Sequence, residues 1–384
     1  MWELSARAKF SGKRCITRTS VSELIRHSSS TVCSADFRYV KNLAMRNYVG
    51  YGDLCKELAR QLPKWFGRSG AVLTDSGEGA LMLALQHLKS LNSGQSEVIV
   101  SAYVCPSVVN AILARGLRPV FADVAANSLN LDMGDVRDHR LTQQTLAVLC
   151  THIGGLPDDI HAGMQFGIPV ISDCAQALGT SIAGCSLLAF GDMAITSFGP
   201  TKFLTGGLGG AVLCDERDEG PVRRLAMPEL PVTEYQEQGF VQTLGQHVSE
   251  MNAGLVLAQL QHLQNFVLKR QRIAQKYDEA LRAIPGVTLP KMLANAEPNW
   301  FRYYFFSDQA NEWQWRLQQS GVDARTSISH VMTDYFPNAG TRTELARQAR
   351  RVVSLPIYPG LTAAQVARIV VALQRSASDQ MGAA

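Results

Sequence analysis

The sequence lacks several features that would assign it quickly to a class. No apolar run is long enough to span a bilayer, and no CxxC pair occurs among its eight cysteines. Cys15, Cys33, Cys55, Cys105, Cys150, Cys174, Cys185 and Cys214 show no paired rhythm, and several lie inside apolar runs such as Leu146–Cys150. Buried free thiols and a reducing, cytoplasmic compartment are therefore expected, with neither a disulfide scaffold nor a zinc site. His152, His161 and His247 have no metal-like spacing, so no metal is expected. The net charge of +4 is small and its basic residues are dispersed, which argues against a nucleic-acid binder. There is no GxxxxGK[ST] phosphate loop and no G-x-S-x-G nucleophile elbow. The first thirty-five residues are basic and rich in Ser and Thr but have no apolar h-region, so they are not a secretory signal. They read as a tail that is disordered or clasps a partner.

What the sequence does contain is an alternation of helix and strand signals over most of its 384 residues. Leu54, Leu58 and Leu62 recur by fours and predict a helix over 53–66. Near-continuous apolar runs predict strands at 71–74, 97–101, 118–122, 145–150, 169–172, 194–198 and 210–214. Such runs are expected when helices cover both faces of a parallel sheet. Pro106 fits the first turn of a helix. One long helix is predicted from Asn252 to about Ala283, followed by a strand at 302–306 and helices at 311–320 and from Thr362. The expected division is an N-terminal segment (1–50), a large α/β domain (51–250) and a smaller C-terminal α+β domain (251–384).

Ligands of parallel α/β sheets bind beyond the carboxyl ends of the strands, and three polar groups fall there. At Asp75–Ala80 a strand runs into a helix, with Gly77 and Gly79 allowing a ligand close to free amides. Taken alone, the stretch is better explained as an ordinary capped turn, and Glu78 argues further against a bare phosphate cradle. Asp173 and Gln176 follow the fifth strand, where an aspartate either caps a helix or pairs with a protonated ring nitrogen. Lys202 follows a strand ending near Ser197 and precedes the glycines of Gly206–Gly210. An isolated lysine is usually a solvated charge, but a desolvated one loses its proton and attacks carbonyls. The glycine run precedes a strand, so it is no dinucleotide fingerprint.

In order along the chain, these pieces resemble the DegT/DnrJ/EryC1/StrS sugar aminotransferases, which are fold-type-I pyridoxal-phosphate enzymes. The likeness covers roughly residues 50 to 376. It rests on Ser76–Leu81, Ala102–Ile112 with Pro119–Phe121, Thr151–Gly155, Val170–Gly179, Gly191–Lys202, Gly206–Val212 and Ser354–Thr362. The resemblance implies pyridoxal 5'-phosphate as cofactor, with pyridoxamine 5'-phosphate as its intermediate form. It makes Lys202 the Schiff-base lysine and proton shuttle, and Asp173 the partner of the pyridinium nitrogen. Gln176 would bond the phenolic oxygen, while Ser197 and the amides of Gly77 and Glu78 would hold the phosphate. The reaction implied is transfer of an amino group, with glutamate as donor, to a carbonyl of a nucleotide-linked keto-sugar or a related compound. A homodimer with shared active sites is implied as well.

The chain departs from that pattern at four places. Glu78 replaces a common threonine. Cys105 stands where an aromatic ring usually covers the cofactor, which leaves Tyr103 or another residue to do so. His247 is the nearest equivalent of an asparagine that reaches across the dimer, with Asn252 a second candidate. Leu208 replaces a common glutamate. A sugar dehydratase of the same fold is one alternative, although that branch replaces the lysine by histidine. A non-catalytic ligand-binding regulator is another. The loop 325–330 and the aromatics of 300–306 are candidate acceptor contacts, with core packing the competing explanation for the aromatics.

Overall fold

The computed structural model describes residues 24–44, 50–226, 244–340 and 342–381. Its centre is a seven-stranded sheet in the order Gly70–Thr74, Gly210–Cys214, Met193–Ser197, Val170–Asp173, Thr145–Cys150, Glu97–Ser101, Arg118–Ala122. The last five in that order run parallel. Gly210–Cys214 is antiparallel to both of its neighbours. A parallel return needs a crossover, usually a helix, and residues 198–209 contain none, so the chain folds straight back. That direct return leaves the Lys202 loop at the carboxyl end of the sheet.

Each strand alternates between two apolar layers. Val98 and Val100 face a layer with Leu81, Leu85 and Ile171, whereas Ile99 faces one with Leu58, Val148 and Val170. Leu54, Leu58 and Leu62 are the buried stripe of helix Asp53–Phe66, as their spacing predicts. Pro106 opens helix Pro106–Ala114, where its missing N–H costs nothing.

The predicted single helix after residue 250 is two, Glu250–Leu260 and Leu263–Leu281. The buried Gln259 side chain bonds both backbone groups of Thr205, donating to its oxygen at 2.6 Å and accepting from its nitrogen at 3.2 Å. That anchor fixes the first helix against Ser34–Ala44 and Asp53–Phe66, while the second turns away to pack on Ala363–Met381. Beyond it, Val287–Thr288, Tyr303–Ser307 and Val352–Leu355 form an antiparallel sheet. Only its middle strand is predicted; the first is two residues long, and the second half of the third falls within a stretch read as a motif.

The N-terminal segment is not simply a tail. Ile25, 1% exposed, forms a bridge with Val322, and buried His27 bonds the Ser354 hydroxyl at 2.9 Å. Residues 24–44 thus pack on the body of the protein, whereas the basic stretch 1–23 lies outside the described residues. Seven cysteines are described, all free, and four of them (Cys55, Cys150, Cys174, Cys214) are buried. Among the described residues no helix is long and apolar enough to cross a membrane.

Candidate active site

Strand ends and helix starts converge on a cavity of about 210 Å³, many times the ~30 Å³ share of one water. Its lining includes Gly77, Glu78, Cys105, Asp173, Gln176, Ser197 and Lys202, so of the residues assigned to catalysis or cofactor binding all but His247 meet at one place.

The cradle end is set by Ser76, whose hydroxyl caps helix Gly77–Leu91 by accepting from the Gly79 amide at 3.0 Å. The same hydroxyl donates to Asp75 at 2.7 Å. The amides of Gly77 and Glu78 are left without helical partners, and both residues line the cavity. A Cβ on Gly77 would stand 2.6 Å from the Ser197 Cβ, so only glycine lets the helix start approach this strand end. Gly210 is required for a similar reason, because a Cβ there would collide with the Ser76 carbonyl. The glycine loop therefore serves close packing of two strands around the cradle.

At the other end Asp173 is buried, and its carboxylate accepts one hydrogen bond, from the Ala175 amide at 2.9 Å. Burial pushes its carboxyl above the ordinary range, with the Ala175 amide and the Lys202 amine pulling the other way. Burial also lowers the pKa of the Lys202 amine, against the pull of Asp173 and with help from the Arg302 charge. The Lys202 Nζ lies 5.9 Å from the Phe301 ring centroid. Gln176 accepts from the Gly154 amide at 3.0 Å, which leaves its own amide protons for the cavity.

Other expectations need correction. Tyr103 does not cover a ring in the cavity. It is 1% exposed, and its hydroxyl accepts from the amides of Ile328 and Ser329, both at 3.1 Å. It ties the 327–331 loop to the sheet instead. Cys105 and Ala175 do line the cavity. His247, expected to reach across a dimer, lies exposed in the loop before helix Glu250–Leu260, away from its own chain's cavity. Its neighbour Gln246 lies against the Asp75 carboxylate and donates to it once its side-chain amide is assigned by its hydrogen-bonding surroundings. Asn252 is committed to the Gly206 carbonyl at 2.6 Å. The aromatics from Tyr303 to Phe306 are core, fully buried. Sequence reasoning missed Thr151 and Ile153 as lining residues, although the Thr151–Gly155 block carried them.

A buried carboxylate, a desolvated lysine and an amide cradle around one cavity fit an aromatic aldehyde that carries a ring nitrogen and a phosphate. Comparison with known proteins agrees. The model of the DegT/DnrJ/EryC1/StrS aminotransferase family matches residues 32–374. The chain belongs to that family. It is 30% identical over 357 residues to the dTDP-4-dehydro-2,3,6-trideoxy-D-glucose 4-aminotransferase of Saccharopolyspora spinosa, covering 86% of this chain and 91% of that one. Among solved structures it resembles the sugar aminotransferase CalS13 from Micromonospora echinospora, with TM-score 0.85, 23% identity, and coverage of 92% and 100% of the two chains. DesV of S. venezuelae gives TM-score 0.83 at 24% identity, covering 93% and 99%. These structural likenesses carry the fold, that of the fold-type-I enzymes. As a DegT/DnrJ/EryC1/StrS member the protein is an aminotransferase of a pyridoxal-phosphate-dependent family.

Proposed function

We propose that this aminotransferase moves an amino group from an amino acid, glutamate, to a carbonyl of a nucleotide-linked keto-sugar, with Lys202 as the reactive amine. The observation that carries the reading is that Lys202 and Asp173 face the same cavity, both desolvated, with the amide cradle at its far end. The keto-sugar rests on the Saccharopolyspora spinosa relative, whose name specifies a dTDP-linked substrate.

When bound, pyridoxal phosphate supplies an imine-forming aldehyde and an electron sink. Asp173 holds a positive ring nitrogen, since its ionised form is otherwise unpaired in a buried setting. The Gly77 and Glu78 amides and the Ser197 hydroxyl hold the phosphate, and the Gln176 amide holds the phenolic oxygen. The Lys202 Nζ, whose pKa burial lowers, is first a nucleophile and then the base and acid that moves a proton at the substrate carbon. A homodimer in the cytoplasm is part of the proposal, with exposed His247 directed at the partner's site. Retention of Lys202 favours transamination over dehydration.

The test is spectroscopic. Purified protein with pyridoxal phosphate should show a visible band that L-glutamate bleaches, with release of 2-oxoglutarate, and keto-sugar nucleotides should restore the band. A band that survives Lys202→Ala unchanged would overturn the lysine assignment.

A further inference from the structure

The cradle holds a side chain that does not match an anion site. Glu78, in the first turn of helix Gly77–Leu91, lines the cavity beside Ser197. Among the described residues its carboxyl group has neither a hydrogen-bond donor nor a salt-bridge partner. The nearby donors are already assigned: the Ser76 hydroxyl donates to Asp75, and the Gly79 amide to Ser76. The only cation lining the cavity is Lys202, which faces Asp173 electrostatically. Asp75 adds a second negative charge on the turn before the helix, engaged by the Ser76 hydroxyl and the Gln246 amide. From the remaining neighbours, the 206–210 loop brings no charge, and the 244–249 loop brings only the exposed His247. A phosphate dianion at the Gly77 and Glu78 amides would therefore meet an ionised carboxylate with no compensating cation among the described residues of the same chain, an arrangement that two like charges in contact resolve by sharing a proton.

We propose that the Glu78 side chain meets the cofactor phosphate in its protonated form, donating an O–H hydrogen bond, so that cofactor binding takes up one proton from solvent. This rests on the pyridoxal-phosphate reading above. Glu78 thereby supplies the donor that a threonine hydroxyl would otherwise give, at the cost of a pH-dependent affinity. Burial, with Asp75 beside it, already raises the Glu78 carboxyl above its ordinary value before any phosphate arrives. The sign follows: the protonated form binds, so affinity is full below the Glu78 titration and falls as pH rises through it.

The test titrates the apo-protein with pyridoxal 5'-phosphate and, separately, with pyridoxal, at several pH values, for wild type, Glu78→Gln and Glu78→Thr. The quantity read is the ratio of the two affinities, which cancels the pH dependence of imine formation. The Glu78→Gln ratio divided by the wild-type ratio should rise by about tenfold per pH unit above the Glu78 titration. In this comparison the ionisation of the phosphate itself cancels, and Glu78→Thr should behave as Glu78→Gln. A matching dye-uptake experiment should show wild type taking up one proton more than Glu78→Gln at a pH where the phosphate is already a dianion, since the protons exchanged at Lys202 and at the ring nitrogen are common to both. Identical pH profiles for wild type and Glu78→Gln, with equal thermal stability of the two apo-proteins, would overturn the inference alone. Failure of wild type to bind either compound at any pH would instead overturn the cofactor reading.

Discussion

Ser172 and Asp173 are neighbours on one strand and point to opposite faces of the sheet. Behind the sheet, Ser172 belongs to a closed polar network. Its hydroxyl meets the His152 Nε2 at 3.0 Å and donates to the Leu187 carbonyl at 3.0 Å. Asp158 accepts from the amides of His152 and Leu131, each at 2.7 Å, and its own amide donates to the His152 Nδ1 at 3.0 Å. These bonds hold His152 in a left-handed conformation, φ 46°, which places the turn that leads to Gly154 and hence Gln176. On the front face, among the described residues, Asp173 has one amide, Glu78 has no partner, and Lys202 has no carboxylate within ion-pair distance. The His152–Asp158–Ser172 network is satisfied where it serves as scaffold, whereas the front-face groups are left under-satisfied where a ligand is to complete them.

That contrast is open to direct attack. On the front face, Asp173→Asn preserves shape while removing the buried charge, and it should cut the glutamate half-reaction by about 10²–10³-fold. Because burial raises the Asp173 pKa, ionisation costs the empty protein stability, so the same variant should be as stable as wild type or more so. Stopped-flow bleaching and denaturant unfolding of the apo-protein measure the two effects. Behind the sheet the expectation reverses. Asp158→Ala leaves two buried amides without acceptors and should cost about 2–5 kcal/mol in urea or guanidinium unfolding. A loss below about 0.5 kcal/mol would break the comparison.

Between these extremes lies the cradle. Gly77→Ala drives a methyl group into Ser197, an overpacking worth about 1–3 kcal/mol, and should weaken pyridoxal-phosphate binding by about tenfold or more. Equilibrium dialysis against the cofactor reads this directly. The smallest effect concerns the N-terminal strap, where His27 donates from Nε2 to Ser354 and burial lowers its pKa to about 3. The folded state thus binds fewer protons than the unfolded one between that value and 6.5, and stability falls as pH drops through this window. From about pH 7 to about pH 5.5 the loss attributable to His27 should be about 1 kcal/mol, and His27→Gln should remove that part of the slope. Urea unfolding of both proteins at the two pH values checks it.

The strands and the site residues were legible for one shared reason. Parallel strands buried on both faces must be continuous apolar runs, and ligand groups must follow their carboxyl ends, so Asp173, Ser197 and Lys202 announce themselves by position. The break at Gln261–His262 was not legible, because the helical spacing continues through it and the cause is a contact with Thr205, distant in sequence. Tyr103 was misread for the same kind of reason: an aromatic beside the cavity in sequence is buried beneath it in space, held by Ile328 and Ser329.

By itself, then, the sequence determined the order of elements, the chemistry of the reactive groups and the family, since all three are written in local pattern and spacing. Tertiary structure alone decided which of these groups are left unpaired. Whether Asp173, Glu78 or His152 finds a partner depends on segments that meet only in the folded chain, and burial then turns a missing partner into an altered pKa.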